Sequence, residues 1–254
     1  MTGYLIITRS VLNEALRELY KVIKQMTKQA NLEKVTAQIK QSCEKSNRQQ
    51  ADVTLVAVTK TIDVAGITEL YDLGIRHFGE NRADVFLDKT RELADKDDIC
   101  WHYIGSLQTR KVKDVLPEID YLHSLDRSSL AKEIEKRATK PIKCFLQVNI
   151  SGEESKHGFS KEEALSFLQE ADFNFIEIIG LMTMAPITNS DKELHHVFHE
   201  LKQLQQEIHA LQLKNVPCTE LSMGMTNDYG IAITEGATFI RVGRALVSDD
   251  NMEV

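Results

Sequence analysis

The residues of this chain best placed to do chemistry lie at the ends of two short apolar runs near its C-terminus. LSMGMTN (221–227) and FIRVGRA (239–245) each begin as a strand and end in small or hydroxyl-bearing residues. Strand ends carrying Ser222, Gly224, Thr226 and Gly243 can turn backbone N–H groups and hydroxyls toward one anion. A helix beginning just after Thr226 would aim the positive end of its dipole at the same point. Far upstream, TLVAVTK (54–60) is an apolar strand ending in Lys60. A lysine and an anion cradle together suit a phosphorylated aldehyde held covalently through the amine.

A lysine amine attacks a carbonyl only in its neutral form, which desolvation and a neighbouring cation favour. Arg241 is the candidate for that cation. If its strand turns it inward, it can also donate a hydrogen bond to the ring nitrogen of a bound heteroaromatic group. A guanidinium keeps its proton, so that nitrogen would stay unprotonated and the ring would be a poor electron sink. The plainer alternatives are a Lys60 that solvates a strand end and an Arg241 salt-bridged on the outside. Asn81, in HFGENRAD (77–84), either hydrogen-bonds a ring substituent or caps the helix that follows. His102 and Tyr103 alternate along one strand, so one of the two faces inward, and a lone strand histidine reads as a packed residue. HHVFH (195–199) has the spacing of a zinc helix, but no acidic partner motif lies near it in sequence, and it is expected to hold no metal.

These residues need a frame that brings distant segments together. Eight short apolar runs alternate with helical patterns: 54–58, 75–79, 100–105, 119–124, 142–150, 175–183, 218–223 and 238–243. Helices are expected over 126–138, with Asp126 as N-cap, and over 190–211, where Leu194, Val197, Phe198, Leu201, Leu204, Ile208 and Leu211 form one stripe. Eight alternating units in 254 residues suit a single closed (β/α)8 TIM barrel. The dinucleotide alternative wants GxGxxG after its first strand, where TKTIDVAG stands. In a barrel the active face is the C-terminal end of the strands, and the first strand adjoins the eighth. Lys60 and the cradle thereby become neighbours. Only eleven residues follow Gly243, too few for a full outer helix, so the helical run over 31–43 is expected to cover that flank. Residues 1–30, with a stripe from Val11 to Met26, read as an N-terminal helical extension, and 31–254 as the barrel domain.

Bulk composition narrows the partners. A net charge of −7 implies no general affinity for polyanions, so nucleic acid is not expected. No apolar run reaches the length of a membrane helix, and the opening GYLII is too short for a signal-peptide core. Cys43, Cys100, Cys144 and Cys218 are widely spaced with no CxxC pair, which reads as reduced, buried thiols in a cytoplasmic protein.

With those residues placed, the chain resembles the pyridoxal 5′-phosphate homeostasis protein family. The matching stretches are LVAVTK, HFGENR, WHYIGSLQTRK, HSLDR, QVNISGEESKHGF, GLMTMAP, LSMGMTND and IRVGRA, in order over about residues 31–247. The resemblance implies a single barrel like the N-terminal domain of alanine racemase, with pyridoxal 5′-phosphate (PLP) as cofactor. It implies a Schiff base on Lys60, Asn81 beside the ring and Arg241 at the pyridine nitrogen. Ser222, the Met223–Gly224 backbone, Gly243 and the backbone of Arg244 would hold the phosphate. Family members often carry a small hydroxyl residue where Arg244 stands, so its side chain is left to meet phosphate or solvent.

The resemblance further implies a role in PLP homeostasis without robust catalysis, with PLP-dependent apoenzymes as possible recipients. Racemisation by two bases needs acid–base groups on both faces of the α-carbon, and only the lysine face is evident here. A small PLP-dependent amino-acid racemase is the alternative, and a Schiff-base aldolase a third, for which the Arg241 contact would have no purpose. A monomer is expected.

Overall fold

The computed structural model of the chain describes residues 9–153, 156–188 and 190–248; within 9–25 it describes the backbone helix and the side chains of Leu16 and Leu19 only. The strands are β1 (Thr54–Val58), β2 (His77–Glu80), β3 (Cys100–Tyr103), β4 (Tyr121–Leu125), β5 (Ile142–Gln147), β6 (Ile176–Met182), β7 (Glu220–Ser222) and β8 (Phe239–Val242). All are parallel, and they close in chain order, with β8 pairing back onto β1. The helices are α1 (Arg9–Lys45), α2 (Val64–Asp72), α3 (Ala83–Glu92), α4 (Val112–Val115), α5 (Ser128–Arg137), α6 (Lys161–Glu170), α7 (Asp191–Ala210), α8 (Tyr229–Thr234) and α9 (Arg244–Val247). The expected barrel is the observed one, and each expected strand is present, most of them trimmed at one or both ends.

Alternation along each strand separates two cores. Val56, Phe145, Ile179, Met182 and Phe239 fill the inside of the barrel. Their neighbours Ala57, Leu146, Leu181 and Ile240 face outward and pack with Ile67, Leu70, Phe86, Leu130, Ile134, Phe198 and Leu201 from the helical ring. Each fully buried leucine, isoleucine or phenylalanine there contributes about 1.5–3 kcal/mol relative to exposure, so the outer core carries most of the stability.

After β8 the barrel lacks a full outer helix, since α9 has four residues. The C-terminal half of α1 covers the gap. Val35, Ile39 and Cys43 are buried on it, and Asn31 Nδ2 donates to the Leu246 and Ser248 carbonyls. Tyr229 of α8 donates its hydroxyl to Gln38, and Arg48 donates to the Ile233 and Ala237 carbonyls. Where two helical segments were expected, a single helix runs through residue 30. Of the stripe expected over 10–26, the described members Leu16, Leu19 and Met26 are exposed, and the others lie outside the described side chains.

One capping expectation fails. α5 begins at Ser128 behind Arg127, and the Asp126 carboxylate instead accepts from Ser106 Oγ at 3.0 Å and from Arg127. The Ser106 bond ties together the segments that follow the neighbouring strands β3 and β4. All four cysteines are free; Cys100 is half-buried and the others buried. Among the described residues no helix is long and apolar enough to cross a membrane.

Candidate functional site

Lys60 stands two residues beyond the end of β1, exposed at the barrel's C-terminal mouth. Alternation from Val56, which lies inside the barrel, puts Lys60 on the inner side. Thr59 before it faces outward and is clamped: its hydroxyl donates to Glu80 Oε1 at 2.6 Å, and Lys89 Nζ donates to its carbonyl at 2.9 Å. Lys89 and Glu80 form a buried ion pair at 2.7 Å.

Arg241 lies opposite Val56 in the β1–β8 register and points inward, 5 % exposed. It donates to Ser222 Oγ at 2.6 Å and to the Thr183 carbonyl at 2.9 Å. Burial lowers its pKa to about 10, with Asp228 opposing the shift, and it stays a cation at neutral pH. The outward, salt-bridged reading of Arg241 is therefore excluded. Ser222 is fully buried at the end of β7, and its hydroxyl also meets His123 Nδ1 at 2.7 Å.

The chain of contacts continues into His102, read from sequence as a lone packed residue, and into two histidines that the sequence reading did not single out. His123 Nε2 lies 2.8 Å from His102 Nδ1, and His102 Nε2 lies 2.9 Å from His77 Nδ1. Three histidines from β4, β3 and β2 thus run in series from the mouth to the opposite end of the barrel. Burial holds His102 and His123 well below the usual imidazole range; the neighbouring histidine adds to this in each, and Arg241 adds to it in His123. Both are neutral at pH 7. His102 is the inward member of its pair, and Tyr103 packs outward against Phe86. The sequence signal was period-two alternation in CWHY and YLHSL, which shows that each histidine can face inward but not that they meet.

The backbone of the cradle differs from expectation at two points. The Met223 amide donates to the Phe239 carbonyl at 3.1 Å and is consumed by the sheet, so Met223 offers no N–H to an anion. The helix expected just after Thr226 begins at Tyr229, and the buried Asp228 at its N-terminus brings a carboxylate to that end. The Asp228 carboxylate accepts from the Met225 amide, and burial pushes its pKa up. Gly224 remains suited to the turn, with φ of +91°. A Cβ there would come within 2.6 Å of Ala232 Cβ and 2.9 Å of Tyr229 Cα. Gly224→Ala is expected to cost about 1–3 kcal/mol through backbone strain, with a further cost from the contact, read as a lowered urea midpoint.

Gly243 is the N-cap residue of α9, and the Arg244 side chain is exposed. Its first-turn N–H has no partner within that helix. Asn81 does not cap α3, whose N-cap residue is Arg82. Among the described residues its side-chain amide has no hydrogen-bond partner, and it lines a cleft of about 380 Å³ with Tyr103, Ser106, Arg110 and Lys111. The capping reading of Asn81 is thereby excluded. Glu235, the C-cap residue of α8, sits between His195 (2.7 Å) and His199 (3.2 Å) of α7, an acidic partner far off in sequence.

Comparison with known proteins places this geometry. Residues 30–250 match the model of the alanine racemase N-terminal domain. The pyridoxal phosphate homeostasis protein of Aquifex aeolicus is 36 % identical over 222 residues, covering 86 % of this chain and 96 % of that one. The protein of the same name from Synechocystis sp. is 39 % identical, covering 78 % and 91 %. PipY of Synechococcus elongatus, solved with PLP bound, superposes with a TM-score of 0.73 at 32 % identity, over 83 % of this chain and all of that one. An alanine racemase from Clostridium difficile shares the fold at 13 % identity, TM-score 0.64, over 89 % of this chain and 59 % of its own. With the domain model matched over most of the chain and homeostasis proteins aligned over nearly their whole length at 36 % and 39 % identity, the chain belongs to the pyridoxal phosphate homeostasis protein family.

Proposed function

We propose that this chain binds PLP at the C-terminal mouth of its barrel and serves the cell's PLP balance as a carrier rather than a catalyst. The donor set fits the group. When bound, PLP supplies an aldehyde, a phosphate dianion and a pyridine nitrogen. Lys60 answers the first, and Ser222 with the Gly224, Gly243 and Arg244 backbone answers the second. Arg241 answers the third, and the free Asn81 amide meets a ring substituent. Lys60 is exposed, so its desolvation comes from the group that covers it.

The observation that carries the reading is the buried Arg241, bonded to Ser222 and the Thr183 carbonyl. It holds a fixed cation under the ring position that donates hydrogen bonds without transferring its proton, which disfavours charge flow into the ring. Residues 31–254 form the binding domain and 1–30 an extension to it. The protein acts in the cytoplasm as a monomer, with PLP-dependent apoenzymes as recipients.

The test is to load the chain with PLP and incubate it with single-enantiomer amino acids in heavy water. A yellow protein that exchanges no Cα hydrogen at a useful rate is expected. Steady incorporation of deuterium at Cα would instead establish the racemase alternative, and failure to take up PLP would remove the proposal. A second prediction isolates the phosphate. Ser222→Ala removes one hydrogen bond to a charged group, worth about 1.5–3 kcal/mol. PLP affinity should fall about 10- to 100-fold, while binding of unphosphorylated pyridoxal changes little.

A further inference from the structure

We propose that His77, Cys100 and His102 form a cation site of the zinc class at the N-terminal end of the barrel, and that His123 couples this site to Ser222. His77 and Cys100 open β2 and β3 and are register partners, and His102 follows two residues later on the same inner face. One nitrogen of each histidine and the Cys100 sulfur lie within 4.8 Å of one another. Two imidazoles and a thiolate are a borderline-soft donor set that suits Zn²⁺ better than Mg²⁺ or Ca²⁺. The His77 Nδ1 to His102 Nε2 distance is 2.9 Å. Tetrahedral Zn²⁺ with nitrogens about 2.1 Å away asks for about 3.4 Å between them. The pair must therefore open by about half an ångström, and both rings, whose nitrogens now meet nearly head-on with centroids 5.2 Å apart, must turn toward the cation. A cation would sit to one side of the contact that the two rings now make and would displace the proton between them.

The surroundings support ligation at this point. Tyr121 stacks on the His102 ring with centroids 4.6 Å apart and planes 6° from parallel, which holds the plane of the ring. His102 Nδ1 is engaged by His123, as the distal nitrogen of a metal-bound histidine usually is. Asp120, held by the Trp101 amide at 2.7 Å, adjoins the Cys100 thiol and offers negative charge beside a fourth position. Lys143 opposes a second cation here, with its ammonium 5.3 Å from the Tyr121 ring centre, and Asp120 offsets it. His77 and Cys100 are only half-buried, which leaves a path for entry. The Cys100 proton leaves to solvent as the Zn–S bond forms.

The coupling follows from proton directions alone. A cation on His102 Nε2 obliges its Nδ1 to carry the proton and donate to His123 Nε2. His123 then carries its proton on Nδ1 and donates to Ser222 Oγ. That oxygen accepts from Arg241 as well, so the serine's own proton is left for an anion. In the opposite polarity Ser222 donates to His123 and has nothing for a phosphoryl group. Cation and phosphate therefore favour one another. The coupling rests on the phosphate position proposed above; the cation site does not.

The experiment titrates Co²⁺ into chelator-treated protein without PLP, then repeats the affinity measurement on PLP-loaded protein by competition with a chromophoric chelator. A thiolate-to-cobalt absorption band saturating at one equivalent is expected. It should vanish in Cys100→Ser, and affinity should fall at least 10-fold in His77→Gln, with both variants checked for fold by circular dichroism. The thiolate band separates this site from the exposed His195 and His199. Absence of the band, or its persistence in Cys100→Ser, overturns the site. Equal Co²⁺ affinity with and without bound PLP overturns the coupling. A failure of the proposed PLP site is read separately, as a missing visible band on PLP addition.

Discussion

Lys60→Ala is expected to abolish the visible absorption band of the chain mixed with PLP and to leave nothing for borohydride to fix. Weaker, phosphate-dependent binding should persist. Lys60 is the amine two residues past the end of β1, on the face that alternation from Val56 assigns to the inside. Removing it deletes the covalent link but not Ser222, Arg241 or the turn at Gly224. Each charge-assisted hydrogen bond that remains contributes about 1.5–3 kcal/mol, enough for measurable binding without the lysine. A loss in affinity of about 100-fold, or about 2.7 kcal/mol, is expected by equilibrium dialysis. Lys60→Arg is the companion variant: it keeps the positive charge and cannot form the link. If Lys60→Arg retains the band, the covalent assignment is wrong; if Lys60→Ala binds PLP as tightly as the wild type, the mouth is not the site.

The contrast between Lys60 and the histidine series shows what a sequence can disclose. A lysine at the end of an apolar strand, and a Ser–Met–Gly run at the end of another, are visible because each is a local pattern, and barrel topology then makes β1 and β8 neighbours. Arg241 could be named as a cation close to the lysine, but its face stayed open until the β1–β8 register set it opposite Val56. The bonds joining Ser222, His123, His102 and His77 depend on the shear between strands, which fixes how far each side chain sits along the barrel axis. Alternation gives the face but not the height. Met223 failed for a related reason: whether an amide at a strand end is free depends on where the neighbouring strand stops, and β8 begins early enough to take it. Asp126 and Asp228 were judged as helix caps or left unweighed, and tertiary partners claimed them instead.

The same limit hid the buried pair behind Lys60. Glu80 ends β2 within HFGENRAD, next to Asn81, and its carboxylate meets Lys89 of α3 and the Thr59 hydroxyl. The Glu80 side chain is fully buried and that of Lys89 is 7 % exposed. Among the described residues Glu80 Oε2 has no hydrogen-bond partner, so the carboxylate leans on a single ammonium and a single hydroxyl. Lys89→Met removes the ammonium and strands a buried carboxylate, which typically costs about 3–5 kcal/mol. For a chain of this size, where 1 kcal/mol moves the midpoint by about 2–4 °C, Tm should fall by about 6–20 °C. Adding Glu80→Leu to Lys89→Met removes the stranded charge and should recover more than half of the loss, since an apolar replacement of both partners is often near neutral. A double variant no more stable than Lys89→Met would show that the pair is not the source of the effect. Lys89 also holds the Thr59 carbonyl, one residue before Lys60. PLP affinity of the folded protein should therefore drop in Lys89→Met and stay low in the double variant, even as Tm recovers. Recovery of both together would reduce the pair to a stabilising role and leave the placement of Lys60 to the strand alone.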